Sequence, residues 1–308
     1  MEKVWAVVMV LVIGLSGAAQ AGIIGPYTAD ANTLFLYHLD ETSGASDPGN
    51  PIVNTGSKGT TFNLTDTGGP DGRSNTTAGG YGAAAYAGFG TSFDVYDSGN
   101  GIYNPTASAT GGGAHTVGVT MSQADFQGAS GEFTYEALVK LPNSSLSQVV
   151  ISRDGSITRG FTLQIVSGEL SIYTGGATNY GASIPTTGDH AFVANEWFHA
   201  AVAYNGNAGA SGNSSFYWTR VDGAVTEANL IGTATFSSDA NANMNQFYIG
   251  TTGRSAYRNP VQYVDEVRIS NVVRGSQDFI FSAPIPEPGS FAVWALGLAG
   301  MVGRKRRK

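Results

Sequence analysis

The sequence predicts an all-β fold, an antiparallel two-sheet sandwich of the jelly-roll kind. Three observations carry this. Apolar and polar residues alternate with period two over runs of strand length, which sorts side chains onto the two faces of a sheet. The runs are separated by turn formers, with 43 glycines in 308 residues. No segment shows the helical period over more than two turns, and strands without intervening helices favour antiparallel pairing.

The first element is not part of that fold. Lys3 gives a positive start, Val4 to Gly17 is an apolar run, and Ala19-Gln20-Ala21 has the small-x-small cleavage pattern. Residues 1–21 therefore read as a signal peptide, cut by signal peptidase to leave Gly22 as the mature start.

The body, residues 22–283, then supplies the strands. Phe133 to Lys140 puts Phe133, Tyr135, Ala137 and Val139 on one face. Gly160 to Val166 does the same with Phe161, Leu163 and Ile165, and Ser167-Gly168 turns it into Leu170 to Tyr173 as a hairpin. Trp197 to Tyr204, Ser215 to Val221, Phe247 to Gly250 and Val261 to Ser270 complete the set. Asp66 to Ala114 is Gly-rich and reads as irregular strands and loops inside the same domain, with short strands between Tyr81 and Phe93.

The last element again stands outside the fold. Pro284 to Pro288 is stiff and refuses helix. Phe291 to Val302 is apolar and reads as a short hydrophobic helix, and Arg304 to Lys308 is basic. At about 1.5 Å per residue, a helix over Gly289 to Gly303 spans about 22 Å, short of a hydrocarbon core of roughly 30 Å unless Arg and Lys snorkel. The basic end would stay cytoplasmic, leaving the body outside, anchored transiently in the inner membrane. Pro286, Glu287 and Pro288, followed by that helix and the basic end, resemble the PEP-CTERM sorting signal. Residues 284–308 then form a sorting tail, and the resemblance implies an exosortase that cuts near this motif and passes the protein to the cell surface or the extracellular matrix. An ordinary tail anchor is the plainer alternative.

Composition narrows the function. There is no cysteine, so disulfides, thiol catalysis and thiolate metal sites are excluded. His38, His115, His190 and His199 have no zinc-site spacing. The formal charge is −7, and without the two terminal segments the body keeps ten basic against twenty-one acidic side chains. Such a body repels phosphate, so no nucleic-acid partner is expected.

The order of the strand motifs resembles the LamG-like jelly rolls of the concanavalin A-like lectin and glucanase superfamily. The residues are Leu36-Tyr37-His38-Leu39-Asp40-Glu41-Thr42-Ser43-Gly44, Gly131 to Val139, Asn195 to Val202, Val221-Asp222-Gly223, Phe247 to Gly250 and Tyr263 to Ser270. This resemblance spans residues 34–282. It implies two curved, packed antiparallel sheets with the first and last strands side by side. Similar folds often hold a structural calcium near that seam, which makes Asp40, Glu41 and Asp265 the candidate ligands. Alternation puts Asp265 on one face with Val261, Tyr263, Val267 and Ile269. A carboxylate there must be metal-bound, paired or hydrogen-bonded.

Retaining glycoside hydrolysis, known in the superfamily, needs two carboxyls about 5–5.5 Å apart. Glu132 and Glu136 are four strand residues apart, about 13 Å, with Thr134 between them. The expectation is therefore no catalysis. Sugar contacts could come from Tyr173, Asn179 and Tyr180 near a hairpin, from Trp218, or from Tyr257, Arg258 and Asn259, with Trp197 read as a core residue and Trp218 as either; no single contact is assigned. The leading reading is a surface or matrix protein that binds extracellular polysaccharide or a surface protein. A matrix component without a discrete ligand, or a hydrolase, are the rivals.

Overall fold

The structure is a computed structural model. It describes residues 26–40, 52–66, 81–83, 89, 91–94, 114–116, 122–154, 159–174, 178–222, 225–237, 247–250, 259–260 and 262–280. The signal-peptide segment with Ala19 and Ala21, residue Glu41, the loop with Tyr257 and Arg258, and the tail with Pro286, Glu287 and Pro288 lie outside the described residues.

In chain order the strands are β1 (Thr33–Tyr37), β2 (Leu64–Asp66), β3 (Tyr81–Ala83), β4 (Thr91–Asp94), β5 (Ala114–Thr116), β6 (Phe133–Lys140), β7 (Gln148–Asp154) and β8 (Arg159–Val166). They continue with β9 (Glu169–Thr174), β10 (Thr178–Ser183), β11 (Trp197–Tyr204), β12 (Ser214–Arg220), β13 (Leu230–Ala234), β14 (Tyr248–Ile249), β15 (Asn259–Pro260) and β16 (Tyr263–Ser270). The only helical pieces among the described residues are two 3-10 turns, Thr60–Phe62 and Gln123–Asp125. No described helix is long and apolar enough to cross a membrane.

The strands form two sheets. The first runs β13-β12-β11-β6-β16-β4-β3, with β1 also on β16. The second runs β10-β9-β8-β7-β14-β5-β2, with β15 on β7. Pairing is antiparallel except for β15 on β7. β1 and β16, the expected first and last strands, are neighbours, with Tyr37 opposite Val267.

Period two explains the core. Phe133, Tyr135, Ala137 and Val139 of β6 meet Phe161, Leu163 and Ile165 of β8 between the sheets. Tyr135 stacks on Phe161 at 4.1 Å, joining sheet to sheet, and Phe133 meets the same ring edge-on at 5.4 Å. Phe35, Phe126 and Phe247 form a second aromatic knot, with ring separations of 4.9 Å and 6.0 Å from Phe35. At the β10–β13 side the two sheet edges approach closely. A Cβ added to Gly232 of β13 would lie 2.9 Å from Ala182 Cβ of β10.

A bulge in β16 corrects one expectation. Asp265 pairs with Leu138 but Arg268 pairs with Glu136, so β16 carries one extra residue there. Glu266 takes it up with φ of 48°, the left-handed conformation such a bulge uses. Side-chain parity flips across it. Val264, Val267 and Ile269 face the core, and Asp265 shares its register face with Leu138 and Arg268 instead.

The outer side of the first sheet is covered by a smaller cluster. Tyr27 from the N-terminal segment and Phe279 and Ile280 from the C-terminal segment pack there with Leu36, Leu138 and Tyr217. Trp197 is partly buried against this cluster, outside the sandwich core, because it precedes Phe198 and so takes the outward parity. Trp218 is a core residue, fully buried and stacked on Phe198 at 4.7 Å.

Candidate functional site

Glu136 sits on the outward face of β6, yet it is completely buried. Its Oε1 accepts the Nε–H of Arg268 at 2.6 Å. His199 Nε2 lies 3.1 Å from its Oε2, and the Tyr27 hydroxyl donates to the same oxygen. Burial alone would push the Glu136 carboxyl up, but the Arg268 charge and the His199 hydrogen bond outweigh it and hold the group at about 2. Burial also drives the Tyr27 phenol up, and the Glu136 charge adds to that. The Arg268 guanidinium lies 3.8 Å from the Tyr27 ring centroid and donates to the Asp278 carbonyl at 3.2 Å. This set has the chemistry of a structural clasp, since every oxygen of Glu136 is engaged by the protein. Glu132, the other acid weighed for hydrolysis, accepts a hydrogen bond from Ser130 N at 2.9 Å in the loop before β6.

The β1–β16 seam carries the carboxylates considered for calcium. Asp40 is exposed and stands three residues beyond Tyr37. Asp265 is buried, and its Oδ1 accepts the Glu266 N–H at 2.8 Å. Glu266 is the acid the seam uses: it lies 2.9 Å from His38 Nδ1 and accepts the Tyr27 N–H at 2.9 Å. Burial raises the Glu266 carboxyl above its usual range despite the His38 hydrogen bond, and Asp40 nearby adds to the rise. Among the described residues no three His, Asp or Glu side chains converge on one point. Two carboxylates fall short of the six to eight oxygens calcium takes, so such a site would need Glu41 and further donors.

The outward face of the second sheet is of another kind. One row across it reads Asn179 of β10, Tyr173 of β9, Thr162 of β8, Ser152 of β7 and Tyr248 of β14, each opposite the next. A second row pairs Ser171 with Gln164. Period two dictates this, because the alternate residues Phe161, Leu163, Ile165, Leu170 and Ile172 fill the core. Gln164 donates from Nε2 to Asn179 Oδ1 at 3.0 Å, reaching across β9. Gln164 Oε1 and Ser171 Oγ are buried and have no hydrogen-bond partner. Asn179 is exposed, so the row opens at the β10 edge. The sequence had named Tyr173 and Asn179 here; Tyr180 instead packs toward the core with its hydroxyl 2.6 Å from Ser237 Oγ. Ser152, Thr162, Gln164 and Ser171 were missed, although their outward parity was readable once the core face was fixed.

Residues 111–278, more than half of the chain, match the family model described as the concanavalin A-like lectin/glucanases superfamily. The chain belongs to this superfamily. β1 to β4 precede the matched stretch, yet β1 and β4 pair with its last strand. Among solved structures, the receptor-binding domain of botulinum neurotoxin type G is similar at 9% identity, covering 80% of this chain and 50% of its own, with a TM-score of 0.46. The serotype D binding domain gives 12%, 80%, 50% and 0.46. Domain 4 of AbnA, a GH43 extracellular arabinanase from Geobacillus stearothermophilus, in complex with arabinotriose, gives 15%, 80%, 96% and 0.43. The chain spans half the length of the two neurotoxin structures. No curated protein matches it in sequence.

Proposed function

We propose that this superfamily member is an exported, non-catalytic surface or matrix protein whose sandwich binds glycan on the outward face of the second sheet. The observation that carries the reading is the row of hydroxyl, phenol and amide groups on β7 to β10, with two buried polar atoms, Gln164 Oε1 and Ser171 Oγ, lacking partners. Buried polar groups are normally satisfied, and an unsatisfied one costs about 1–3 kcal/mol. Sugar hydroxyls both donate and accept, so they can complete such a row.

Catalysis is left out of the proposal for a chemical reason. Glu136 is ionised, buried and held by Arg268, His199 and Tyr27, so it has no proton to give a leaving group. Export and sorting rest on the sequence: removal of residues 1–21 after Ala21, then exosortase processing near Pro286-Glu287-Pro288, with the apolar helix as a transient anchor. An intact mass that retains Arg304 to Lys308 on the mature surface protein would remove the exosortase step. A structural calcium held by Asp40, Glu41 and Asp265 is a separate part of the proposal. Its support is that Asp40 follows β1 by three residues and Asp265 lies on β16, the strand that β1 pairs with.

The test of the binding reading is a glycan array and a pull-down with the producer's own polymer, using the mature chain. Retention of polymer supports it. A folded chain that binds no glycan and captures a single protein from the surface fraction would replace glycan with a protein partner. A chain that captures neither is a matrix component without a discrete ligand.

A further inference from the structure

Three segments meet where β1 ends, and each brings one side chain of a proton relay. His38 follows β1, Thr55 lies in the loop that returns beside it, and Glu266 is the extra residue of β16. His38 Nδ1 lies 2.9 Å from Glu266 Oε1, and His38 Nε2 lies 3.5 Å from Thr55 Oγ1. Glu266 is fully buried and its other oxygen accepts the Tyr27 N–H, so its direction is fixed. A carboxylate there takes the Nδ1 proton and leaves the Nε2 lone pair toward Thr55. The loop holds Thr55 as firmly. Its N–H donates to the Leu36 carbonyl at 2.9 Å, and Asn54 Oδ1 accepts the Leu36 N–H at 3.0 Å and the Gly56 N–H at 2.9 Å. Gly56 presses so close to β1 that a Cβ there would lie 2.4 Å from the Leu34 carbonyl oxygen. Thr55 is exposed, and His38 keeps 27% of its side chain accessible. Leu39, next to His38, is held at φ of 60° although it is buried, and backbone outliers of this kind cluster at functional sites.

We propose that Thr55 is a nucleophilic hydroxyl, with His38 as its base and Glu266 as the positioning residue, and that it accepts an acyl group from an activated ester. The site is separate from the glycan-binding face and stands or falls without it. Hydroxyl, imidazole and carboxylate in this order form an activated nucleophile, and the hydroxyl–imidazole contact is often long until a substrate is bound. In the reaction the Thr55 hydroxyl proton passes to His38 Nε2 and Oγ1 bonds to the acyl carbon. The ester C–O bond breaks, and the departing alcohol takes the proton from His38. Before that the hydroxyl donates to the Leu36 carbonyl at 3.2 Å, and rotation about the Cβ–Oγ1 bond redirects it to the imidazole. The N–H groups of Thr55, Gly56 and Ser57 are spent on Leu36, Asn54 and Thr33, so they form no oxyanion hole to drive turnover. The product is an ester that stays on Thr55. Thr55 is thus a modification site, and the chain remains without catalytic turnover.

Treatment of the mature chain with p-nitrophenyl acetate tests this. The expected result is a burst of about one equivalent of p-nitrophenol per chain, with peptide mapping placing the acetyl group on Thr55. Thr55→Val should abolish the burst and Thr55→Ser should keep it. His38→Gln should slow it about a hundredfold. The burst rate should rise with pH as His38 loses its proton. In Glu266→Gln the midpoint of that rise should move to lower pH, because the carboxylate that favours the charged imidazole is gone. The other titratable groups around this pair among the described residues are Asp40, Asp265, Tyr27 and Lys58, and Lys58 is paired with Asp125 at 2.8 Å. Circular dichroism checks each variant for an unchanged fold. Should Glu266→Gln unfold, the variants at Thr55 and His38 still decide the matter. No burst, acetyl groups on lysines but none on Thr55, or a burst in folded His38→Gln at the parent rate would each overturn the proposal.

Discussion

Arg268 donates its Nε–H to Glu136 Oε1 across the β16–β6 ladder, and the pair is sealed from water by Tyr27 and Phe279 of the two terminal segments. One guanidinium thus holds a central strand, a tyrosine ring and the Asp278 carbonyl. Removing one partner of a buried ion pair strands the other. Arg268→Met should therefore lower stability by roughly 3–5 kcal/mol. The double variant Glu136→Leu with Arg268→Met should lose clearly less, since no charge is left uncompensated. Urea unfolding of the mature chain measures both, and an equal loss in the two would contradict this account of the clasp.

The same group sets the acid limit of the fold. Glu136 has its carboxyl lowered to about 2, because Arg268 and His199 overcome the opposing effect of burial. A lowered carboxyl adds stability above its unfolded value and loses it as pH falls through the folded one. Between about pH 4.5 and pH 2 the chain should lose on the order of 3 kcal/mol from this group. Glu266 acts with the opposite sign. Burial raises it, so its contribution is complete below the ordinary carboxyl range and is lost as pH rises through its folded value. Stability curves for Glu136→Gln should flatten on the acid side, and those for Glu266→Gln should flatten above it.

Two glycines in neighbouring turns should respond differently to alanine. Gly206 has φ of 76°, and a Cβ there would lie 2.2 Å from the Ser130 carbonyl oxygen. Gly209 has φ of 80° with nothing within 4 Å of that position. Gly209→Ala should cost about 1 kcal/mol, the strain of a left-handed alanine. Gly206→Ala adds a backbone clash, for a total of about 3 kcal/mol. Thermal melts would rank them, and the reverse order would contradict the close approach.

Trp218 separates packing from binding. It is fully buried against Phe198, so Trp218→Ala should cost about 3–5 kcal/mol. The milder Trp218→Phe should stay folded and retain the glycan affinity of the parent. Lost affinity in that variant would assign the indole to the binding face.

For the calcium part of the proposal, the readout is thermal stability in excess calcium against excess chelator. An ion bound only by the folded state raises the melting temperature with its concentration. Asp40→Asn and Asp265→Asn should each abolish that rise. A melting temperature indifferent to calcium would end the assignment.

Strands with clean alternation were legible in the sequence: β6, β8 and β11 show their core faces directly. β7 was not. Gln148 to Asp154 runs Val149-Val150-Ile151 without alternation because it carries two register shifts against β8. Periodicity cannot see a bulge from one strand alone, since the partner defines it. The same cause misplaced Asp265, whose apparent face was reversed by the extra residue at Glu266. The clasp was hidden for a further reason. Glu136, His199 and Arg268 read as outward polar positions, and only the tertiary packing of Tyr27 and Phe279 covers them. The polar row on the second sheet was half legible, through Tyr173 and Asn179, because aromatic and amide side chains draw notice where Ser and Thr do not.

A deletion of Glu266 would be no minor lesion. Taking out that single position would restore plain alternation, leaving Arg268, Val267 and Ile269 on the sides they hold now, but it would remove the carboxylate that accepts the Tyr27 N–H and meets His38. A residue there that cannot accept hydrogen bonds would cost the N-terminal segment the same anchor, so at this point the side chain matters more than the count of residues.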